Sequence, residues 1–388
     1  MKVGLFNDSF PPTIDGVANV VKNYADIITE KYGEAVVVTP RYPHVIDNYP
    51  YEVYRFQSAK FSGKMPYRVG NPFSPVTLVE LNRKNFDLLH VHCPFASSVL
   101  AHELVIGREK RPPTVFTYHT KYDIDIDKYI LNKRFNKICK SFVLSNIKYA
   151  DEVWTVSAGA TQSLRSIGYE GDVIVMPNGT DFEKGVASKE DVAELERMFR
   201  IKKDIPMFLF CGRMIWWKNI KIIVDALKNL ADAGYKFQMF FVGDGIDRPA
   251  IEQYTRNLGL NDCVEFTGAV YDRRRLRAFF TRADLFLFPS TYDTSGLVVK
   301  EAAACSTASI LVEGSCASEG VEHGFSGLLS KEEPEDYAKK IAEALNAPGT
   351  FETLGKNAAE YVYYSWEESV DKAVKRYEKV LERHNSKK

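Results

Sequence analysis

The chain has no net charge, because 51 Lys and Arg residues balance 51 Asp and Glu residues. The balance also holds regionally, with 22 basic against 20 acidic residues up to residue 185 and 29 against 31 beyond it. No field of one sign argues for nucleic acid as a partner, and any basic patch has to be local. Cysteine is sparse and scattered. Cys93, Cys139, Cys211, Cys263, Cys305 and Cys316 form no close pair and no metal-ligand spacing, which argues against a disulfide framework and for reduced thiols. No apolar run approaches the ~20 residues of a membrane span, and the opening Met-Lys-Val-Gly-Leu-Phe-Asn reads as a strand rather than a secretory leader. A cytoplasmic location is expected, with Asn178-Gly-Thr left unmodified although it is formally a glycosylation triplet. A three-glycine dinucleotide fingerprint is missing, as is a lysine-centred pyridoxal segment. Nicotinamide and pyridoxal chemistry are therefore unsupported, and no cofactor is expected.

What is present is an alternation of short apolar runs with amphipathic stretches over 388 residues, 45% hydrophobic and 26% charged. The length suits two domains, and the alternation is that of an α/β fold. In the first domain, residues 1–185, strands are predicted at 2–7, 35–39, 86–91, 114–118 and 152–156, with a helix at 17–31. The loop before that helix carries Asp15 and Gly16, and glycine at a helix start lets a diphosphate approach the backbone. The strands at 86–91 and 114–118 run into His92 and His119, candidates for contact with a ligand at the carboxyl edge of a sheet, with His90 beside them. Residues 182–205 read as a linker with a short helix. The second domain, 186–365, restarts the alternation with strands at 207–211, 237–242 and 264–266 and helices at 218–233, 248–258 and 272–281. Residues 366–388 close the chain as a helix, with Trp366 and Tyr377 as its anchors.

The chain is organised around residues 282–304. Leu285 to Phe288 is a buried-strand run closed by Pro289 and Ser290, and Gly296 opens an Ala-rich helix. Asp293 and Glu301 bracket the intervening loop. Between them the amides of Thr294, Ser295, Gly296, Leu297 and Val298 lie near a helix N-terminus suited to an anion. After the first strand of the same domain comes Gly212-Arg213-Met-Ile-Trp-Trp-Lys218. There Arg213 can fork two hydrogen bonds to phosphate and Lys218 adds a point charge.

The acid pair and its loop resemble the signature of the retaining, two-Rossmann-domain glycosyltransferases of family 4, and other segments fall in that family's order. These are Asp15-Gly16-Val17, Thr117-Tyr-His119-Thr, Pro177-Asn-Gly-Thr-Asp181, Gly212-Arg213 with Lys218, Val242-Gly-Asp-Gly245 and Glu265-Phe-Thr-Gly268-Ala-Val270. The resemblance implies the GT-B fold, two Rossmann-like domains facing a central cleft, with a C-terminal helix crossing back to the first domain. It also implies a hexosyltransferase using a nucleotide-sugar, UDP-linked and typified by UDP-glucose. Glu301 would bind the ribose, Asp293 and His119 the transferred sugar, and Arg213 and Lys218 the leaving diphosphate, with no metal. Gly16 would flank the diphosphate, Gly268 and Val270 would frame the base, and Asp15, His92 and Tyr122 would face the acceptor. Two departures stand out: the first acid is usually Glu, and Ser315 and Cys316 replace a Gly-Gly pair before Glu319.

Tyr122-Asp-Ile-Asp-Ile-Asp127 contains an Asp-x-Asp spacing that elsewhere holds a divalent metal; here an acceptor-facing loop is the preferred reading. Together with Tyr118-His-Thr it resembles the members acting on diacylglycerol. Residues 128–148 then predict one helix, with Leu131, Phe135, Ile138 and Phe142 on one stripe and Lys133, Lys137, Lys140 and Lys148 on another. Its plain reading puts the apolar stripe in the core. Its alternative rests the helix on anionic lipid at the inner face of the membrane. The run Arg273, Arg274, Arg275 and Arg277 is expected to be a solvated helix face. The acceptor is accordingly a membrane lipid such as diacylglycerol, or else a soluble glycan or polysaccharide precursor. A non-catalytic sugar-nucleotide sensor is the rival from another class.

Overall fold

A computed structural model of the protein describes residues 1–13, 15–60 and 68–386. Ile14 of the first connecting loop and the last two residues of the tail lie outside that range. The described chain forms two compact units, Met1–Asn178 with Trp366–Lys388, and Gly179–Ser365.

In the first unit seven parallel strands lie in the order Glu52–Phe56, Glu34–Pro40, Lys2–Phe6, Leu88–Val91, Thr114–Tyr118, Glu152–Thr155, Val173–Val175. In the second unit six parallel strands follow the order Val264–Gly268, Gln238–Val242, Met207–Cys211, Leu285–Phe288, Ala308–Val312, Leu328–Ser330. Both are doubly wound α/β sheets whose order reverses beside the first strand. Strands covered on both faces need apolar residues throughout, and Leu88–Val91, Met207–Cys211 and Leu285–Phe288 are buried at every position.

The C-terminal helix Trp366–Asn385 buries Trp366, Val370, Ala373, Val374, Tyr377 and Val380, the spacing of one helical face. Tyr377 stacks on Trp154 at 5.4 Å, and Arg376 forks onto Glu152 through two 2.7 Å hydrogen bonds.

Four sequence expectations change. Residues 122–127, expected as an acceptor-facing loop, form the helix Tyr122–Tyr129. The single helix expected over 128–148 is broken, because Asn132 caps a new helix, Lys133–Lys148, by accepting from the amides of Arg134 and Phe135. The apolar stripe is not in the core: Leu131 is 88% exposed, Phe135 57%, Ile138 62% and Phe142 47%, while Val143, Asn146 and Ile147 supply the buried contacts. The stretch read as a linker packs into the second core through Phe182, Ala187, Leu195 and Ile201.

Candidate functional site

In the second unit the order reverses between Met207–Cys211 and Leu285–Phe288, so the loops leaving these strands diverge and leave room for a ligand at their carboxyl ends. The backbone there is drawn tight. Gly243 has φ +144°, and a Cβ on it would meet the Gly212 carbonyl oxygen at 1.9 Å; one on Gly245 would meet the Met214 oxygen at 2.4 Å. Only glycine allows the loop after the second strand to pack onto the loop carrying Arg213.

Arg213 is exposed, whereas Lys218 is buried on the single turn Trp216–Lys218. Its ammonium group lies 2.9 and 3.0 Å from the two carboxylate oxygens of Asp293 and 5.0 Å above the Phe288 ring. Ser290 donates to the same carboxylate. Burial pushes the Asp293 pKa up, but Lys218, the Ser290 hydroxyl and Arg213 outweigh it, and the group lies below its ordinary value. The Asp293 carboxylate is therefore ionised at neutral pH.

Gly296 (φ +55°) starts the helix Leu297–Ala304, and a Cβ there would come within 2.8 Å of Ala317 Cα. Ala317 lies on the short turn Cys316–Ser318, which Ser315 caps by accepting from the Ser318 amide at 3.2 Å. The two residues that depart from the Gly-Gly pair thus immediately precede Ala317, the residue against this helix start. The Ser295 hydroxyl is buried with no hydrogen-bond partner among the described residues. Glu301, one turn along the helix, has a largely buried carboxylate that accepts from Arg273 Nη1 at 3.1 Å. Burial raises its pKa and Arg273 only partly opposes this. Gly268 (φ +79°) ends its strand with its carbonyl accepting from Gly243 N at 2.9 Å, and Val270 is half-buried just beyond.

The first unit has its own reversal, between Lys2–Phe6 and Leu88–Val91. His92 Nδ1 lies 3.0 Å from His119 Nε2, and His92 Nε2 is buried without a partner among the described residues. His90 turns elsewhere, 2.6 Å from the Tyr377 hydroxyl and 2.7 Å from Thr117 Oγ1. Burial lowers the pKa of His119 to about 3 and those of His90 and His92 well below the usual value, so all three are neutral near pH 7. One proton is shared between His92 and His119.

Tyr122 is half-buried, its hydroxyl 3.8 Å from Cys93 Sγ. Asp15 caps the helix Gly16–Lys31, accepting from Ala18 N at 2.7 Å, and a Cβ on Gly16 would meet nothing within 4 Å. Among the described residues, that point at the helix start is open.

The fold thus gathers Arg213, Lys218 and Asp293 at one loop junction and His92 with His119 at another, whereas Asp15 is engaged by its own helix. Asp123 of the Asp-x-Asp stretch accepts from Ser163 and Ser166, and Asp127 pairs with Lys140 at 2.6 Å. Among the described residues no cluster of three or more His, Cys, Asp or Glu is placed to hold a metal.

Sequence reasoning gave no site role to Ser290, Asp8 or Arg273. Asp8 accepts from Ser97 N and Oγ at the start of the helix Ala96–Val105, and burial raises its pKa. The arginine run is exposed at Arg273 and Arg274, as expected, and is engaged as well: Arg274 pairs with Asp191, and Arg277 donates to the Glu183 and Gly185 carbonyls. Ser290 could have been found from its position closing the strand, three residues before Asp293.

Residues 14–184 match the family model for Glycosyltransferase Family 4, and residues 191–361 that for Glycosyl transferases group 1. Alpha-monoglucosyldiacylglycerol synthase of Streptococcus pneumoniae is 26% identical over 79% of this chain and 70% of that protein. The protein of the same name from Acholeplasma laidlawii is 23% identical over 92% of each. Among solved structures, sucrose-phosphate synthase from Thermosynechococcus elongatus superposes with a TM-score of 0.78 at 20% identity, covering 98% of this chain and 99% of that one. Anabaena Alr3699/HepE in complex with UDP and glucose superposes with a TM-score of 0.72 at 19% identity, covering 97% and 98%. Both likenesses concern the fold.

Proposed function

This chain belongs to family 4 of the glycosyltransferases and has their GT-B fold, and we propose that it moves a hexose, with retention of configuration, from a UDP-sugar to the free hydroxyl of diacylglycerol at a membrane surface. The observation that carries the lipid acceptor is the exposed stripe Phe135, Ile138 and Phe142, with Leu131 exposed just before it, on a helix that also bears Lys133, Lys137, Lys140 and Lys148. A stripe of this size facing water lacks a partner, and basic residues around it match an anionic leaflet. Both curated relatives named above carry diacylglycerol in their names.

On this reading the second unit holds the donor. Glu301 accepts from the ribose hydroxyls, Gly268 and Val270 frame the base, and the amides of Thr294 to Val298 meet the diphosphate. Arg213 and Lys218 stabilise charge that grows on the diphosphate as the glycosidic bond breaks, which is the electrostatic service a metal would otherwise supply. Asp293 touches the sugar or, through its ion pair, aims Lys218. The candidates within the first unit are Asp15, Gly16, His92, His119 and Tyr122, and neutral His119 can hydrogen-bond a sugar hydroxyl without losing a proton. The acceptor oxygen attacks the anomeric carbon from the face the phosphate leaves, and the departing phosphate oxygen takes the acceptor's proton. Atoms balance with no enzymic nucleophile and no external base.

The test is transfer from UDP-glucose to diacylglycerol in anionic and neutral vesicles, run beside a soluble saccharide acceptor, with flotation at low and high salt. Flotation with anionic vesicles at low salt and faster transfer to the lipid support the reading. Transfer that favours the soluble saccharide, with no flotation, rejects it.

A further inference from the structure

Arg273 belongs to the arginine run and to none of the site motifs above, yet it donates to the Glu301 carboxylate. Its guanidinium is fixed on three sides. One face covers the buried Phe182 ring with Cζ 4.1 Å from the centroid, Nη1 lies 3.1 Å from Glu301 Oε1, and Nη2 lies 3.9 Å from Asp181. The aromatic shelf is itself secured. Arg277 also covers Phe182, at 4.8 Å, and donates to the carbonyls of Glu183 and Gly185, while the Gly185 amide donates to Ala304 at the end of the Glu301 helix.

We propose that Arg273 is the positioning residue for the nucleotide ribose: by holding Glu301 Oε1 it leaves Oε2 aimed at the two vicinal hydroxyls. The inference rests on the assignment of Glu301 to the ribose. An ionised carboxylate oxygen has two lone pairs and can accept from two neighbouring hydroxyls, and one oxygen anchored by a planar guanidinium fixes where the other points. Burial alone would favour the protonated acid, whose O–H no longer accepts, and the Arg273 charge opposes that change. Lysine does not replace arginine here, since it offers no planar face to Phe182 and no fork for Glu301 and Asp181.

The experiment measures binding of UDP and of GDP, each against its 2′,3′-dideoxy form, to wild type, Arg273→Gln, Arg273→Lys and Glu301→Gln. Wild type is expected to prefer the ribonucleotide by roughly tenfold or more, the scale of hydrogen bonds to a charged acceptor. Arg273→Gln should bring that ratio close to that of Glu301→Gln while leaving affinity for the dideoxy form unchanged, and Arg273→Lys should recover only part of it. A purely structural role would weaken both nucleotides together. A ratio retained in Arg273→Gln overturns this inference alone. No preference in wild type overturns the ribose assignment and this inference with it.

Discussion

Lys218 is where local charge and chemistry meet most closely. Its ammonium group is buried against Asp293 and the Phe288 ring, so removing the partner leaves a cation with little water. Asp293→Asn is expected to destabilise by roughly 1 to 3 kcal/mol, less than the ~3–5 of a fully enclosed pair because Asp293 is partly open. Unchanged thermal unfolding would show that the pair contributes nothing. Lys218→Ala and Arg213→Ala should lower kcat more than they raise the donor dissociation constant, because both act on charge that grows during departure. A loss confined to KM would contradict that role. The histidines give a separate prediction. His119 is pushed down to about 3, and His90 and His92 also titrate well below the ordinary value, in each case chiefly through burial. The unfolded chain therefore binds more protons, and stability present above the unfolded histidine pKa near ~6.5 is lost as pH falls toward 3, by at most ~1.4 kcal/mol per unit for each ring. A fall in the urea midpoint between pH 6.5 and 5 that is shallower in His119→Gln than in wild type checks the assignment.

Two helices carry consequences beyond single residues. The helix Lys133–Lys148 presents Phe135, Ile138 and Phe142 to water, so a double change of Phe135 and Ile138 to Ser should abolish flotation with vesicles while leaving thermal stability within about 0.5 kcal/mol, as for other exposed positions. Lost stability would mean the stripe is packed in solution. The helix Trp366–Asn385 is the opposite case, with its apolar face buried and the Tyr377 hydroxyl bonded to His90. Tyr377→Phe leaves a ring nitrogen unpaired and is expected to cost about 1 to 3 kcal/mol. A neutral outcome in denaturant unfolding would show that water replaces the hydroxyl.

At the scale of the whole molecule each unit has its own core, and the donor reading places the nucleotide on Gly179–Ser365. UDP at a hundred times its dissociation constant should stabilise the fold it binds by ~2.7 kcal/mol. Hydrogen exchange should then slow first at the loops following Met207–Cys211 and Leu285–Phe288. Slowing confined to the first unit would place the nucleotide elsewhere and undo the assignment of Arg213, Lys218 and Glu301.

The inner strands Met207–Cys211 and Leu285–Phe288 were legible in the chain because a parallel strand covered on both faces must be apolar at nearly every position, whereas Glu52–Phe56, Ala308–Val312 and Leu328–Ser330 were not read from it. Gly296 at the start of the Leu297–Ala304 helix was legible for a similar reason, since a positive φ against Ala317 restricts the residue type. Helical periodicity shows that a stripe exists but not what covers it, which is why the exposure of Leu131, Phe135, Ile138 and Phe142 emerged only when neighbouring elements were in place. The pairing of Lys218 with Asp293, and of Arg273 with Glu301, joins residues 75 and 28 positions apart. No local pattern encodes those partners. They meet because the strand order brings separate loops to one edge of the sheet, and an ion pair depends on distance in space rather than along the chain.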